Sequence, residues 1–414
     1  MSTSRNGATA NDNAEAALLH ALTGGAEPVL IAGGGIGGLA TAIALARRGI
    51  PAHVLERRES FEEEGAGIQL GPNGTRILQS LGVVDALRPR AGVPECIRVR
   101  DGASGGELAC LPLGTWIAER HGAPYWVVHR KDLHAALLKA ARSEPLVALA
   151  TGFAVAEAAS NETHAAVANG AGQTRTGRAL VVADGVWSTI RAKLFETPIP
   201  RFSGRSAARS VIAREGLPAE VSATETGVWL FPNAHVVHYP VSGGEELAII
   251  VVVNDDHGDQ QWSAPVHSSW VGDRLPACAK PLRALIEAAS AWKKWGLHRL
   301  PAQPSWTRGR IVLLGDAAHP VMPFLAQGGV LALEDAAVLS QEMAAEGPDV
   351  VEALRSYEHR RLPRAHHVAD ASRINGLIYH LSGPMAAARN LTLRMASGER
   401  IMSRYDWVYS WRAE

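Results

Sequence analysis

"PVLIAGGGIGGLATAIALARRGIPAHVLERR", residues 28–58, decides the fold. Val29–Ala32 is a short apolar run closed by glycines, and it reads as a buried strand. Residues 37–48 carry a helical pattern that ends at Gly49, and Ala52–Leu55 is a second apolar strand. Gly33, Gly35 and Gly38 set G-x-G-x-x-G at the strand-to-helix turn. There the first glycine permits the tight turn and the second lets a pyrophosphate approach the backbone. The third allows helix and strand to pack closely. The helix start then aims free N–H groups at the phosphates. Glu56 ends the second strand, about 20 residues on, where a carboxylate binds a ribose diol, and Arg57 joins it on the cofactor side. A plain glycine-rich turn is the alternative. Strand, glycines, helix, strand and acid all in register favour dinucleotide binding.

The bulk of the chain excludes several classes. At 414 residues it is long enough for two or three cores. Its 41 basic residues match its 41 acidic ones, so no net field recruits nucleic acid or an anionic membrane. No apolar run approaches the ~18 residues of a membrane span. Cys96, Cys110 and Cys278 form no C-x-x-C, which argues against a dithiol centre, a metal site or a disulfide framework and suits a reducing cytoplasm. Residues 1–27 read as a flexible extension with a short helix at 13–22. Asp12 and Glu15 interrupt the apolar core that a signal peptide would need.

Two more strand-plus-acid units follow. In "ALVVADGVWSTIRAKL", Ala179–Ala183 is a buried strand, followed by Asp184-Gly185, Ser188 and Arg191. In "IVLLGDAAHPVMPFLAQGG", Ile311–Leu314 precedes Asp316, two prolines and the pair Gly328-Gly329, which open a helix over 330–345. Between about 199 and 305 the pattern changes to shorter strands with polar interruptions, an antiparallel reading. Residues 96–123 add a strand or loop to it. The expected architecture is α/β: a Rossmann-like domain of 28–95, 124–198 and 306–345, an inserted antiparallel sheet of 96–123 and 199–305, and C-terminal helices over 346–414. Past Pro363 the pattern is helical to about 396, with Trp407 and Trp411 on a polar tail that docks on the body or on a second subunit.

The trio of G-x-G-x-x-G, Asp-Gly and Gly-Asp, in this order, resembles the single-component flavoprotein aromatic hydroxylases of the p-hydroxybenzoate hydroxylase type. "GAGIQLGPNGTRILQSLGV" (65–83), "HRKDLHAALL" (129–138), "RFSGRSAAR" (201–209), "HVVHYPV" (235–241) and "YEHRRLPR" (357–364) extend the likeness over roughly 28–370. Within the class the chain is most similar to salicylate 1-hydroxylase, 3-hydroxybenzoate 6-hydroxylase and 6-hydroxynicotinate 3-hydroxylase. Val182 departs from the glycine usual before the Asp-Gly motif, and Ala208 from the aromatic that commonly precedes Arg209. The resemblance implies bound FAD, NADH or NADPH as a transient reductant, and O2 that adds to the flavin as a C4a-hydroperoxide. A phenolic ring acid then attacks that peroxide. It further implies that Asp316 accepts from a ribityl hydroxyl, with Asp184 near the nicotinamide. A helix cap or turn is the alternative for Asp316. The N–H groups of Gly328 and Gly329 face the same region, where a helix start favours the negative charge of reduced flavin. Arg130 stands at a helix start, where a cation is disfavoured without an anion nearby, and reads as a cofactor ligand on both grounds, with a solvated arginine as the alternative. Gln69 lies beside the flavin, and Asn73 caps the helix that follows.

Alternation along "HVVHYPV" puts His235, Val237 and Tyr239 on one face and Val236 and His238 on the other. A phenol must lose its proton to become a strong nucleophile, and histidine suits that task. His235 is the first candidate for the base, with Tyr239 orienting the ring and His238 as the alternative on the opposite face. Satisfied core side chains are the bland reading of all three. Arg209 pairs with a substrate carboxylate, the nicotinamide cofactor or a surface acid. Pro323 stands on the stiff loop where ring selection would be set. His319 fixes that loop, and Glu334 and Asp335 are structural. A flavin reductase or oxidase without oxygen insertion, and a non-catalytic FAD module, are the competing functions. The enzyme is expected to be a monomer or homodimer.

Overall fold

Val29–Ala32 pairs in parallel with Ala52–Leu55 on one side and Ala179–Val182 on the other. Every residue of these strands is buried, as expected of parallel strands covered on both faces. Ile311–Leu313 extends this sheet beyond Ala179–Val182, and Val147–Ala150 beyond Ala52–Leu55. Thr307–Arg308 closes one edge as the antiparallel sixth strand. The computed structural model describes residues 27–413, apart from 63, 64, 66, 218–220, 223, 257–262, 276 and 346–348. The expected helix at 13–22 lies outside the described residues.

This strand order positions the site. The strands 311–313, 179–182, 29–32 and 52–55 are neighbours and parallel, so the loops after them emerge side by side. Asp316, Asp184, the glycine turn and Glu56 are thus gathered along one edge, where open α/β sheets bind ligands. Helix Ile36–Ala46, buried along nearly its whole length, packs against helix Gly328–Ala345.

An eight-stranded sheet forms the second layer. Its middle is Arg201–Ala213, Glu246–Asn254, Ala234–Val241 and Glu225–Phe231, antiparallel throughout. Cys96–Asp101 joins Glu225–Phe231 in parallel and carries Glu107–Pro112 at the edge. Residues 96–123 therefore supply two strands, and then helix Gly114–His121, rather than one strand or loop. A further three-stranded antiparallel sheet, Val155–Ser160, Ala165–Asn169 and Thr174–Gly177, has no counterpart in the expected architecture.

The C-terminal segment is helical on both sides of Pro363 and breaks after Tyr379. Helix Val350–Tyr379 runs straight through Pro363. Pro363 and His359 are both exposed, so the carbonyl that loses its N–H partner can turn to water. Helix Gly383–Met395 follows. The tail docks on the body: Trp407 stacks on His367 at 3.9 Å, and the Arg361 guanidinium lies 5.0 Å from the Trp411 ring.

Candidate active site

One cavity of about 670 Å³ runs between the two layers. At one end it is walled by the glycine turn, Glu56, Arg57, Arg130 and Asp184. Gly33 adopts φ +112°, and a Cβ on it would stand 2.4 Å from the Ala183 carbonyl oxygen. A Cβ on Gly38 would stand 2.0 Å from the Gly33 oxygen. Those two glycines are demanded by the fold itself. Gly35 is different. Its φ of −76° and ψ of −174° suit any residue, and a Cβ there meets nothing within 4 Å. No steric contact among the described residues requires glycine at 35, and the clearance over it opens into the cavity. The Glu56 carboxylate accepts from Gly34 N–H at 2.8 Å and from Arg58 N–H at 3.0 Å, which fixes it beside that clearance. His134, one turn after Arg130 on the same helix face, meets the Gly34 carbonyl at 2.8 Å. Sequence reasoning passed over His134, although its i,i+4 spacing from Arg130 was the available signal.

Asp184 lies on the same wall with Oδ1 buried and without a hydrogen-bond partner among the described residues. Burial pushes its carboxyl above the usual range, against the pull of Ser188 and nearby arginines. An unsatisfied buried acceptor facing a cavity fits a ligand that carries hydroxyl or amide donors. Arg191, 1 % exposed, donates to the Ala317 carbonyl at 3.0 Å and the Val186 carbonyl at 2.8 Å. It locks the Asp184 loop to the Asp316 loop, a cross-link between segments 126 residues apart that no local pattern announces.

The loop 315–329 lines the middle of the cavity with Asp316, Pro320, Val321, Pro323, Gly328 and Gly329. It is held from behind by buried charges. Asp335 accepts from Gly315 N–H at 3.0 Å, His319 at 2.6 Å and Arg361 at 2.7 Å. Glu334 pairs with Arg361 at 2.9 Å and Arg364 at 3.0 Å. Asn73 does not cap its helix, whose N-cap is Gly71; its side chain donates to Glu334 and Gln327 instead. Burial alone would raise the Asp335 carboxyl, but His319 and Arg361 outweigh it and hold it down to about 2. The folded value lies below the unfolded one near 3.8, so this stabilisation is complete above pH ~4 and is lost as pH falls towards ~2. Arg361→Met should cost about 3–5 kcal/mol, because it removes a buried charge partner from both Glu334 and Asp335. Urea midpoints at pH 7 check this, and an unchanged midpoint would contradict it.

The far end of the cavity is the inner face of the large sheet. His235, Val237 and Tyr239 line it together, with Ala207, Arg209, Ile250, Val252 and Trp295. His238 is not among them. It sits on the opposite face over Gly227, where a Cβ would come within 2.0 Å of its Nε2, and burial drives it down to about 3. The strand's alternation thus removes His238 from the site. Tyr239 donates its hydroxyl to the Gly67 carbonyl at 3.0 Å, so only its oxygen lone pairs are open to a second partner. Gln69 lines the cavity and accepts from the Tyr125 hydroxyl. The Arg209 guanidinium lies 5.0 Å from the Trp295 ring and 3.4 Å from Ser263 Oγ, at the apolar end. His235 is 3 % exposed, edges onto Phe324 and Tyr379, and shares a 2.8 Å hydrogen bond through Nδ1 with Nε2 of His380. Nε2 is left as its ring nitrogen for the cavity.

Comparison with known proteins gives a consistent picture. The model of a family described as "FAD binding domain" matches residues 26–372. The 3-hydroxybenzoate 6-hydroxylase of Polaromonas naphthalenivorans is 34% identical, over 93% of this chain and 96% of its own. The 6-hydroxynicotinate 3-monooxygenase of Bordetella bronchiseptica is 34% identical, over 85% of this chain and 92% of its own. Among solved structures, Klebsiella pneumoniae HpxO complexed with FAD and uric acid is 27% identical, with a TM-score of 0.81 over 91% of this chain and 95% of its own. A salicylate hydroxylase substrate complex, 23% identical, matches in fold with a TM-score of 0.81 over 94% of this chain and 96% of its own.

Proposed function

Because this chain belongs to the FAD-binding-domain family, we propose that this cavity holds FAD at the glycine-turn end and a hydroxylated aromatic acid at the sheet end. The protein is an FAD-dependent aromatic-ring monooxygenase that uses NAD(P)H and O2. The observation that carries the reading is continuity. The clearance over Gly35, the Asp316 loop and the His235 face open into one space. Bound FAD supplies the oxygen activation; the chain supplies everything that places and ionises the ring.

In this reading Gly35 and the following helix start receive the pyrophosphate, Glu56 a ribose, Asp316 the ribityl chain, and Gly328–Gly329 the electron-rich flavin edge. Arg57, Gln69, Arg130 and Asp184 complete the cofactor contacts. Ile250, Val252, Val237 and Pro323 present apolar walls to an aromatic ring. Arg209 takes its carboxylate, in the charge-assisted geometry that guanidinium favours. His235 Nε2 accepts the phenolic proton, and Tyr239 offers its oxygen to the ring's polar substituent. The stiff Pro320–Pro323 segment keeps water away from the reacting edge. The substrate is a hydroxybenzoate- or hydroxynicotinate-like acid, the compartment a reducing cytoplasm that suits three free cysteines, and the protein a monomer or homodimer. Among the described residues no helix is long and apolar enough to cross a membrane.

A panel of hydroxybenzoates and hydroxypyridine carboxylates tests this, with NAD(P)H consumption, H2O2 and product mass followed together. One ring acid should give a product heavier by one oxygen, with product matching NAD(P)H used. Stoichiometric H2O2 with no heavier product for every acid would make the protein an oxidase or reductase.

A further inference from the structure

The inner face of the large sheet is a grid, because its strands pair in register. One row across it runs Trp295, Ala207, Val252, His235, each directly opposite the next. The next row along the strands holds Arg209, Ile250 and Val237. All of these residues line the cavity. Neighbouring strands lie about 4.8 Å apart, and successive residues on one face of a strand about 6.8 Å apart. Arg209 stands two strands and one row from His235, so their backbones are about 12 Å apart. Side chains rise roughly perpendicular to a sheet and keep such a separation. Arg209 does not lean inwards to shorten it. Its guanidinium lies 5.0 Å from the ring of Trp295, at the end of the row opposite His235.

We propose that Trp295 is a specificity-determining residue. By holding the Arg209 guanidinium at the far end of the row it sets a long span to His235, and the cavity takes ring acids whose hydroxyl and carboxylate stand on non-adjacent carbons. This rests on Arg209 as the carboxylate's partner and His235 as the phenol's base. With hydrogen bonds of about 2.8 Å at each end, a meta or para hydroxy acid bridges about 11–12 Å. An ortho acid has its two oxygens in contact and bridges only about 8 Å by the same bonds. Its hydroxyl also donates to its own carboxylate, which competes with His235. It can meet Arg209 or His235, not both.

The floor between the two ends suits a ring. Ala207 and Val252 are short and apolar, and Ile250 and Val237 continue the floor in the next row. Phe324 clusters with Ala207 and Val252 and lies 5.1 Å from the Arg205 guanidinium, which closes the floor on the Arg205 side. Trp295 is what keeps the span long. A guanidinium over an aromatic face is held there by cation–π attraction. Without that face the flexible arginine can swing over Ala207 towards His235, and the shortened span fits an ortho acid.

The test titrates the FAD-loaded enzyme, without NAD(P)H, with salicylate, 3-hydroxybenzoate and 4-hydroxybenzoate, and reads Kd from the change in flavin absorbance. The tighter of the meta and para acids should bind about tenfold or more better than salicylate, which forgoes one charge-assisted hydrogen bond. Trp295→Leu should keep FAD and cut that ratio to about threefold or less, whereas Trp295→Phe keeps an aromatic face and should hold it. The ratio compares ligands in one protein, so a general loosening of the fold cancels. Salicylate binding as tightly as the better of the other two overturns the proposal. So does a ratio unchanged in Trp295→Leu, or one lost equally in Trp295→Phe. If none of the three acids perturbs the flavin, the reading of the cavity fails and the proposal with it. If salicylate alone is bound and hydroxylated, that reading stands and the span is wrong.

Discussion

Gly35→Val should yield a folded protein that purifies colourless. The backbone at 35 already suits a β-branched residue, and its Cβ direction is open, so the substitution meets no protein atom at Cβ. What it fills is the clearance over the turn, and FAD affinity should fall by about 100-fold or more, roughly 3 kcal/mol. Flavin absorbance per chain reads the loss. The melting temperature should match that of the flavin-stripped parent, since loss of a bound ligand alone lowers apparent stability. Gly38→Val is the contrasting case. Its Cβ would collide with the Gly33 carbonyl at 2.0 Å, so it should fail to accumulate as folded protein. If Gly35→Val stayed yellow with unaltered affinity, the cradle would be assigned to the wrong ligand.

The second large effect belongs to His235. His235→Ala should keep its flavin, because the residue lines the sheet end of the cavity and its contact with the loop 315–329 is an apolar one, to the Phe324 ring. Hydroxylation should drop about 10²–10⁴-fold, the range for removing a general base. NAD(P)H oxidation should continue, with its electrons appearing as H2O2 rather than product. Product per NAD(P)H is therefore the readout, since total NAD(P)H consumption would hide the effect. Unchanged coupling would mean that the phenol is ionised without His235; His238 is turned away from the cavity.

The glycine-turn end of the cavity was legible because its signals are local. A strand, three glycines, a helix and an acid follow one another within 28–58, and backbone sterics fix what Gly33 and Gly38 do. Asp184 and Asp316 were legible for a related reason. Each ends a buried strand, and parallel neighbours bring such ends together whatever the loops contain. Alternation sorted His235 and Tyr239 from His238. The rest lay in long-range pairings that carry no periodicity. His380 meets His235 across 145 residues, and Arg191 joins two loops across 126. Asn73 reads as a helix cap by its position, yet its partners lie 254 and 261 residues away. The sheet over 155–177 escaped for lack of apolar contrast. "VAEAAS", "AAVAN" and "TRTG" are alanine-rich and polar, and pairing with neighbours, not propensity, makes them strands.

Turnover under 18O2 tests the central claim most directly. With NAD(P)H and the ring acid that couples best, the product should carry one 18O atom per NAD(P)H consumed, introduced on the ring. An unlabelled product, or labelled H2O2 with the ring acid recovered unchanged, would contradict it.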